Sequence, residues 1–505
     1  MVDARDDVQI GLSVLNATRR LPMIASARAA TECSIEDVIS HNYCVGCGAC
    51  AAASPSAFSM VTDELMTRQA VIHDASDKAV AAGDRVCPFS SQNPNETEIA
   101  EALFAQNGLA LDERVGYYDA VFTGQVQDSN YLLGSSSGGL TSWIVGELLR
   151  SGLVDGIIHV GEADCGTDTL FEYVVSYSTE TAAGRRKSQY YSTSFDHVLG
   201  AIRGDGKRYA FIGVPCFVKA VRLLQAADPM LADQITYVVG LVCGHLKSNA
   251  FAEVMAYQVG VNPGELKKVD FRVKNPDWPA NMYGFGAMQL NRHAWRTKTA
   301  SSLVGGNWGH ALFQLKACDY CDDIFAETAD ICLGDAWLPD YVKDWRGTNV
   351  VVSRRKELTL LLEAARGTSQ ISLHALTLDE AAESQAGNFR HRREGLSVRL
   401  AAARAQSLVV PRKRVSADSV KVSRQRRKVV FARQRIAQVS HKAYLQARVD
   451  RDIGVLFRAV GPLIEELDNI YRRAKYKTFG FWMRLPVRGL KGLVQGVRHA
   501  AQRSS

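Results

Sequence analysis

Cysteines are the residues of this sequence whose type and spacing point most directly to chemistry. The chain has 505 residues and eleven cysteines, which are unevenly grouped. Cys44, Cys47 and Cys50 recur every third residue, and Cys87 directly precedes Pro88. Bacterial ferredoxins use this spacing, completed by a distant Cys-Pro pair, to hold a four-iron cluster. The sequence therefore predicts one 4Fe-4S cluster with Cys44, Cys47, Cys50 and Cys87 as its ligands.

Ser54 stands where such a run normally has its fourth cysteine. In two-cluster ferredoxins that cysteine ligates the other cluster, so we expect a single cluster in this module. The alternatives are a zinc site or a set of buried thiols. Zinc is usually held by two separated C-x-x-C pairs, and the successive three-residue spacing favours the cluster. Gly46 and Gly48 would let the backbone wrap around it.

A second set of four cysteines is spread along the chain. Cys216 and Cys243 follow two predicted strands, and Cys318 and Cys321 form a C-x-x-C pair. Strand ends that share one edge of a sheet are neighbours, so a loop carrying the pair could complete four ligands. From spacing alone, a second cluster, a zinc site and buried cysteines all remain open. The leftover cysteines are expected to fill packing positions; they are Cys33, Cys165 and Cys332.

Residues 135–139 are rich in serine and glycine and precede a predicted helix. Such a loop allows close backbone approach, and helix amides suit a pyrophosphate. An ordinary N-capping turn is the alternative. Asp335 could accept a hydrogen bond from a ribose or flavin group, or cap a turn. Lys187 could meet a phosphate or a flavin ring, or be solvated. His245, next to Cys243, could be a proton donor, a partner of a cluster ligand or a structural histidine.

Alternating hydrophobic runs predict the elements that position these residues. The predicted strands cover residues 119–124, 156–160, 209–214, 235–242, 269–273, 331–334 and 349–353. The predicted helices cover 141–150, 217–225, 251–257 and 358–365. Beyond residue 388 the chain has helical spacing, and Pro411, Pro462 and Pro486 are the expected helix boundaries.

The fold class is therefore α+β or α/β. We expect a small ferredoxin-like cluster module, a central α/β flavin-binding body and a helical, basic C-terminal extension. The expected segments are 1–40 (N-terminal), 41–112 (cluster module), 113–250 and 251–390 (two parts of the body), and 391–505, called the C-terminal extension below.

Several motifs, in order along the chain, resemble the family of coenzyme F-420 hydrogenase/dehydrogenase beta subunits, which includes iron–sulfur flavoproteins such as 7-hydroxymethyl chlorophyll a reductase. The resemblance covers residues from about 43 to about 376. It rests on the following residues: Ser136 to Gly139, Lys187 to Tyr190, Gly213 to Cys216, Cys243, Ser248, Phe271 to Lys274, Cys318, Cys321 and Ala329 to Asp335.

The resemblance implies FAD in the central body, 4Fe-4S clusters beside it, and single-electron transfer coupled to two-electron flavin chemistry. It favours two clusters, the second on Cys216, Cys243, Cys318 and Cys321. No G-x-G-x-x-G turn is found for the flavin. The residues expected to bind FAD are Ser136, Ser137, Gly138, Gly139, Gly213, Pro215, Gly334 and Asp335.

The charge of the chain is divided unevenly. Residues 391–505 contain 27 Lys and Arg against 7 Asp and Glu, a net +20, whereas the whole chain is +7, so the rest is −13. The extension could bind an anionic membrane surface through Phe481 and Trp482, dock on an acidic partner, or fold back on the acidic body. No helix-turn-helix or zinc-finger motif supports nucleic-acid binding. Since every expected ligand lies upstream, truncation at about residue 388 is expected to leave the cofactors in place.

Hydrophobic residues make up 47% of the chain and charged residues 22%, as in globular proteins. With no run of ~18 apolar residues and no evident signal peptide, we expect a cytoplasmic protein with reduced thiols, with attachment to the inner membrane face as an option. The expected function is an iron–sulfur flavoprotein oxidoreductase with an unidentified substrate. A ferredoxin-like donor or a reduced coenzyme would supply electrons. The alternative is a non-catalytic electron-transfer subunit or an accessory protein of a pathway such as surface polysaccharide formation.

Overall fold

The computed structural model describes residues 33–484 apart from 165, 166 and 168, and it describes side chains as far as residue 473. The N-terminal part surrounds an antiparallel strand pair, β1 (Phe58–Thr62) and β2 (Arg68–Ile72), with helices Ile35–Ser40, Ala49–Ala53 and Asp77–Asp84. Ser34 and Asp37 form a capping box that fixes the start of the first helix. A helix, Glu96–Phe104, and a short pair, β3 (Ala110–Asp112) and β4 (Gly116–Tyr118), connect this part to the body.

The described residues of the body form eleven strands: β5 (Ala120–Val126), β6 (Gly156–Glu162), β7 (Phe171–Ser176), β8 (Tyr209–Gly213), β9 (Ile235–Leu241), β10 (Leu266–Val273), β11 (Gly284–Gln289), β12 (Trp295–Thr299), β13 (Ile331–Asp335), β14 (Asn349–Ser353) and β15 (Ile371–Ala375). Eight of them form a mixed sheet in the order β15-β5-β14-β13-β9-β8-β6-β7. A separate three-stranded antiparallel sheet contains β10, β11 and β12.

Helices cover both faces of the large sheet. Helices Leu140–Arg150 and Lys356–Gly367 pack on one face, and helix Pro215–Ala227 packs on the other. Shorter helices fill the connections; they are Ser129–Leu133, Thr179–Gly184, Asp196–Ile202, Pro229–Gln234, Ala250–Gln258, Pro339–Val342, Leu378–Ser384 and Ala386–Phe389.

The direction of the strands decides where a site can form. β6, β8, β9 and β13 are mutually parallel, and β14 runs antiparallel between β13 and β5, so β5 shares their direction. The carboxyl ends of these five strands therefore lie along one edge of the sheet. Ligands of α/β proteins bind in the crevice outside that edge.

The described part of the C-terminal extension is helical and packs on the body. A π-helical turn, Arg390–Gly395, leads into helices Leu396–Ala405, Arg424–Asp450 and Gly454–Arg484. Tyr444, Leu456 and Val460 share an apolar core with Phe251 and Met255 of the body. Of the roles considered for the extension, folding back on the body is the one these contacts show for residues up to 473.

The membrane interpretation depended on Phe481 and Trp482, whose side chains lie outside the described ones. In the part of the chain that the structure covers, no helix has both the length and the apolar character needed to cross a membrane.

Every predicted strand and helix of the body is confirmed, with shifts of a few residues at the ends. The prediction that Pro462 is a helix boundary is wrong, because it lies inside helix Gly454–Arg484. Pro411 falls between two helices as predicted, and Pro486 lies outside the described residues. The strands that were not predicted are β1, β2, β3, β4, β7, β11, β12 and β15. Most of these strands are part-exposed and carry no long apolar run.

Candidate functional site

The first cysteine set surrounds one small cavity. Cys44, Cys47, Cys50 and Cys87 all line a space of about 20 Å³ between the first helices and β2. Gly46 holds a left-handed conformation with φ +75°, and a Cβ there would lie 2.6 Å from the Arg68 carbonyl oxygen. Its amide donates to Cys44 Sγ over 3.4 Å. The glycine thus lets the loop wrap closely around the space that the four sulfurs face.

Ser54 lies outside this group of sulfurs. It caps the C-terminus of helix Ala49–Ala53, where its amide donates to the Cys50 carbonyl, and it is absent from the cavity wall.

The environment of these thiols would suit a positively charged guest. Burial raises the pKa of Cys87 to about 12, and the pKa values of Cys47 and Cys50 are raised by burial and by the neighbouring thiolates. Four thiolates so close together need a cation to offset their repulsion. No group of three or more His, Cys, Asp or Glu among the described residues is placed to share a single metal ion. In a four-iron cluster each thiolate binds a different iron, which requires a wider spacing.

The second cysteine set also converges. Cys216 lies in the first turn of helix Pro215–Ala227, and Cys243 follows β9. Cys318 lies within the 3-10 turn Lys316–Tyr320, and Cys321 directly follows this turn. The buried Cys216 thiol has its pKa raised by burial first, and then by Cys321, Cys243 and Cys318. Leu246 donates its amide to Cys318 Sγ over 3.1 Å. Four sulfurs with a backbone donor at one of them form a set that could hold a second cluster.

A larger cavity, of about 280 Å³, opens at the carboxyl edge of the large sheet. The serine–glycine loop at 135–139, the segment 185–193, and the ends of β8, β9 and β13 all contribute to its wall. The parallel strands of the sheet therefore place most of the expected flavin residues around one space. Six of the eight expected residues line it: Ser136, Ser137, Gly139, Gly213, Gly334 and Asp335.

The other two expected flavin residues, Gly138 and Pro215, are not in the cavity wall. A Cβ on Gly138 would lie 2.7 Å from the Gly124 carbonyl oxygen, so this glycine allows the loop to pack against β5. Pro215 occupies the first turn of its helix, where a missing N–H costs nothing. Both residues are chain neighbours of residues that line the cavity, and neither lines it itself.

Asp335 and Lys187 have partners from the chain itself. Both carboxylate oxygens of Asp335 accept from Arg272, over 3.2 and 3.3 Å. Lys187 Nζ lies 3.0 Å from an Asp270 carboxylate oxygen and donates to the Arg272 carbonyl over 3.1 Å. Both residues line the cavity, and these pairs fix their positions there.

One end of the cavity is electropositive. Arg185, Arg186 and Lys187 line it beside Gly139, the N-cap of helix Leu140–Arg150. Gly139 is in the left-handed region with φ +78° and provides no side-chain cap. The Leu140 amide donates to Asn349, and the amides that follow it in the first turn receive no cap from residue 139. Helix N-termini with nearby cations bind phosphate groups.

Two ionisable side chains line the cavity beside the second cysteine set. His245 is buried against Trp308, with ring centroids 4.5 Å apart, and its Nε2 has no hydrogen-bond partner in the described structure. Burial lowers the pKa of His245 well below its ordinary value. Lys247 is also buried, with its pKa lowered by burial, and donates to the Leu312 carbonyl. His245 is thus a neutral imidazole with one nitrogen available to a ligand.

Shared wall residues link the two cysteine sets to the large cavity. Val45 lines both the first cysteine cavity and the large cavity. Cys243 of the second set is part of the wall of the large cavity. The Cys47 thiolate is also among the charges that raise the pKa of Cys216. The first set, the second set and the large cavity are therefore neighbours.

Two of the leftover cysteines are buried, as expected. Cys33 is 0% exposed and Cys332 is 1% exposed, both within the main apolar core. Cys165 lies outside the described residues.

Sequence reasoning missed four residues of this region. Asn349 accepts from the Leu140 amide and donates to the Gly334 carbonyl, each over 3.0 Å, and so joins helix and strand at the cavity edge. Trp308 and Lys247 line the cavity. Arg392 donates to Cys321 Sγ. Of these four residues, only Asn349 could have been found from the sequence, because it begins a predicted strand at the same edge of the sheet.

Two family models match consecutive parts of the chain. Residues 121–200 match the N-terminal part of the coenzyme F420 hydrogenase/dehydrogenase beta subunit, and residues 206–378 match its C-terminal part. Together they cover half of the sequence. The chain belongs to the family of coenzyme F420 hydrogenase/dehydrogenase beta subunits. The resemblance read from the motifs is thereby confirmed, and membership supports an oxidoreductase role in electron transfer.

Two curated members of the family are similar to this chain. A subunit of the F(420)H(2) dehydrogenase of Methanosarcina mazei is 26% identical over 318 residues, which cover 61% of this chain and 79% of that protein. The "Coenzyme F420-dependent sulfite reductase" of Methanocaldococcus jannaschii is 23% identical over 330 residues, covering 61% of this chain and 44% of that protein. The chain therefore spans less than half of the sulfite reductase.

A solved structure also matches this family member. It is a chain of the F420-reducing [NiFe] hydrogenase complex from Methanosarcina barkeri, with 18% identity and a TM-score of 0.46. The match covers 61% of this chain and 99% of the hydrogenase chain.

Proposed function

We propose that this protein is an iron–sulfur flavoprotein oxidoreductase that passes electrons between two 4Fe-4S clusters and FAD. Cys44, Cys47, Cys50 and Cys87 would hold one cluster; Cys216, Cys243, Cys318 and Cys321 would hold the other. The observation that carries the proposal is the position of Cys243, which belongs to the second set and to the wall of the 280 Å³ cavity. A cluster at the second set would border a flavin in the cavity.

The charge and the aromatic character of the cavity residues support FAD as the guest. The electropositive end by Arg185, Arg186 and the N-terminus of helix Leu140–Arg150 suits the pyrophosphate. The apolar and aromatic wall near Tyr190 and Trp308 suits an uncharged ring system and excludes water from it. Bound there, FAD would couple two-electron chemistry with a substrate to one-electron exchange with the clusters.

His245 would contact a guest at this site. Burial lowers its pKa and holds the imidazole neutral, so it is a weak base, and Nε2 is available for a hydrogen bond to a guest. Trp308 fixes the plane of the ring. Lys187, the other catalytic candidate, is paired with Asp270 and is better placed to orient a guest than to transfer its proton.

Electrons would enter from a reduced coenzyme or a ferredoxin-like donor. The relatives are named for F420, so a reduced deazaflavin is the first donor to test. A cytoplasmic location is part of the same proposal, since clusters ligated by thiolates require reduced cysteines.

A non-catalytic electron-transfer subunit is the second candidate. It is favoured by the name of the Methanosarcina mazei relative, which is a subunit of a dehydrogenase. In that case the chain would turn over donors only together with a partner protein.

The first test is anaerobic purification followed by iron, sulfide and flavin analysis. Two clusters predict about eight iron and eight sulfide per chain, and FAD near one per chain. Cys87→Ala and Cys216→Ala should each remove about half of the iron and one electron paramagnetic resonance signal. The matched control is Cys332→Ala, a buried cysteine outside both sets, which should keep all the iron. Full iron in Cys87→Ala, or loss of a signal in Ser54→Ala, would contradict the ligand assignment.

The second test distinguishes the enzyme from the subunit. The FAD of the isolated holoprotein is reduced with F420H2, NADPH or reduced ferredoxin in turn, and its reoxidation by candidate acceptors is followed at the flavin absorbance. Catalytic turnover by the isolated chain supports the enzyme. Reduction without turnover until a partner protein is added supports the subunit.

A further inference from the structure

Arg392 lies where the C-terminal extension meets the second cysteine set. It belongs to the π-helical turn Arg390–Gly395, and 1% of its surface is exposed. Its Nη1 donates to Cys321 Sγ and to the Asp323 carbonyl, and its Nη2 donates to the Gly244 carbonyl over 3.1 Å. One guanidinium thus joins the two segments that supply Cys243 and Cys321.

The π-helical turn explains how the side chain reaches this position. Such a turn inserts an additional residue into a helix and is common at functional sites. Neighbouring residues of the same stretch reinforce the contact. Arg399 donates to the His391 carbonyl over 2.8 Å and to the Asp319 carbonyl over 2.7 Å. The turn is therefore fixed to the segment that carries Cys318 and Cys321.

The charge of Arg392 faces sulfur. Burial alone would lower the pKa of this guanidinium, but the Cys321, Cys243 and Cys318 thiolates outweigh burial and raise it. Arginine stays protonated in proteins, so a fixed positive charge lies beside the second set. Both sets receive a backbone donor, from Gly46 to Cys44 Sγ and from Leu246 to Cys318 Sγ. Among the described residues, the charged side chain that donates to a ligand sulfur is Arg392, at the second set. The two sets therefore differ in electrostatic environment.

This difference has a direct consequence for redox chemistry. One-electron reduction of a thiolate-ligated cluster adds one negative charge, and a nearby cation or N–H···S bond stabilises the reduced form more than the oxidised form. The effect is large where water is excluded, because the local dielectric is low. A buried guanidinium bonded to a ligand sulfur should therefore raise the reduction potential.

We propose that Arg392 is a positioning residue that orients the Cys321 thiolate and raises the reduction potential of the cluster held by the second cysteine set. The inference rests on the proposed function, since it assumes a cluster at that set. It gives the C-terminal extension a role in electron transfer, although the extension supplies no ligand. A higher potential at the second set would favour movement of electrons to it from the first set.

Redox titration of the anaerobic, full-length holoprotein, monitored by electron paramagnetic resonance, tests the proposal. Arg392→Met removes the charge and the hydrogen bonds. Arg392→Lys keeps the positive charge but lacks the planar guanidinium with its several N–H donors. Arg354→Lys is the control, since Arg354 is equally buried but donates to backbone carbonyls, among them those of Val115 and Tyr117.

In Arg392→Met, the reduction equilibrium of one cluster should shift at least tenfold toward the oxidised form, which is about 59 mV for a one-electron couple. Arg392→Lys should shift it in the same direction by less, and it provides the measurement if the Met variant fails to fold. The other cluster and the Arg354→Lys control should keep the wild-type potentials.

Unchanged potentials in both Arg392 variants at full iron content would overturn this inference and leave the proposed function intact. An equal shift in Arg354→Lys would also overturn it, since the effect would then be general. A wild-type chain that binds no second cluster would overturn both the inference and the ligand assignment.

Discussion

Arg414 connects the C-terminal extension to buried acids of the body, and its replacement by methionine should be strongly destabilising. Its guanidinium binds both carboxylate oxygens of Glu327, with Nη2 2.9 Å from Oε1, and its amide donates to an Asp322 carboxylate oxygen over 2.8 Å. The Asp322 side chain is 0% exposed and that of Glu327 is 5% exposed. Methionine keeps the apolar length of the side chain but leaves these two acids without their guanidinium.

The size of the effect follows from this burial. Removing one partner of a buried ion pair costs about 3–5 kcal/mol, because the other charge is left uncompensated. We therefore expect Arg414→Met to lower the free energy of unfolding by about that amount. The matched control is Arg412→Met in the same segment. Arg412 lies 3.7 Å from Glu98, with both side chains more than 40% exposed, so its removal should cost about 1 kcal/mol or less.

Urea unfolding followed by circular dichroism measures both variants. The penalty in Arg414→Met should also shrink as the pH falls. Burial tends to raise the pKa of Asp322, but Arg414, Lys413 and Arg393 together hold it below its ordinary value. Without Arg414 the stranded acid protonates at higher pH and its charge no longer has to be buried. Equal stability losses in the two variants, or a penalty that stays constant between about pH 8 and about pH 5, would refute this reasoning.

Three further outcomes are expected. Lys274 donates to the carbonyls of Leu132 and Ser137, each over 2.8 Å, and to that of Arg346, so Lys274→Met should loosen the serine–glycine loop and weaken FAD binding about tenfold in a fluorescence titration. Burial lowers the pKa of Lys274 to about 7; a neutral amine has too few N–H groups for three acceptors, so wild-type affinity should fall above that pH and the variant should not show this dependence. Burial lowers the pKa of His159 to about 4 from 6.5, so the unfolded chain takes up a proton first and stability falls as the pH drops from 6.5 to about 4. At about 1.4 kcal/mol per pKa unit this loss is about 3.5 kcal/mol, and His159→Gln should remove it in urea titrations of the apoprotein; an unchanged slope would contradict the assignment. Truncation after residue 388 should give a poorly soluble chain, because it removes Arg392, Arg399 and Arg414 from buried partners; a soluble truncated protein with full iron and FAD would contradict this expectation.

The truncation outcome reverses an expectation from the sequence. All the cysteine ligands do lie upstream of residue 388, and that part of the sequence reasoning stands. Ligand spacing carries no information about Arg392, because its contacts depend on a helical irregularity and on chain segments far apart in sequence. The opposite charges of the body and the extension were visible in the sequence, and they were a signal that the two parts pack together.

The residues of the large cavity also differ in whether the sequence alone could have predicted their position. Long apolar runs such as those of β9 and β13 are readable from the sequence, and parallel strands place the segments that follow them at one edge. The residues at those ends, including Gly213, Cys243 and Asp335, could therefore be predicted as neighbours. Trp308 could not be, since it enters from an irregular connection. The pairing of Asp335 with Arg272 was equally hidden, because it joins two separate sheets.

The contact between Arg392 and Cys321 also sets an order of events during synthesis on the ribosome. The two residues are 71 positions apart, so at about 5–20 residues per second Arg392 is made roughly 4–14 s after Cys321. During that interval all eight cysteines of the two sets have been made, while the last wall of the second set does not yet exist. The nascent chain therefore passes through a stage in which Arg392 does not yet cover that set, and the cluster proposed for it would be delivered most easily then. Closure of the site by Arg392 then begins with synthesis of the final quarter of the chain.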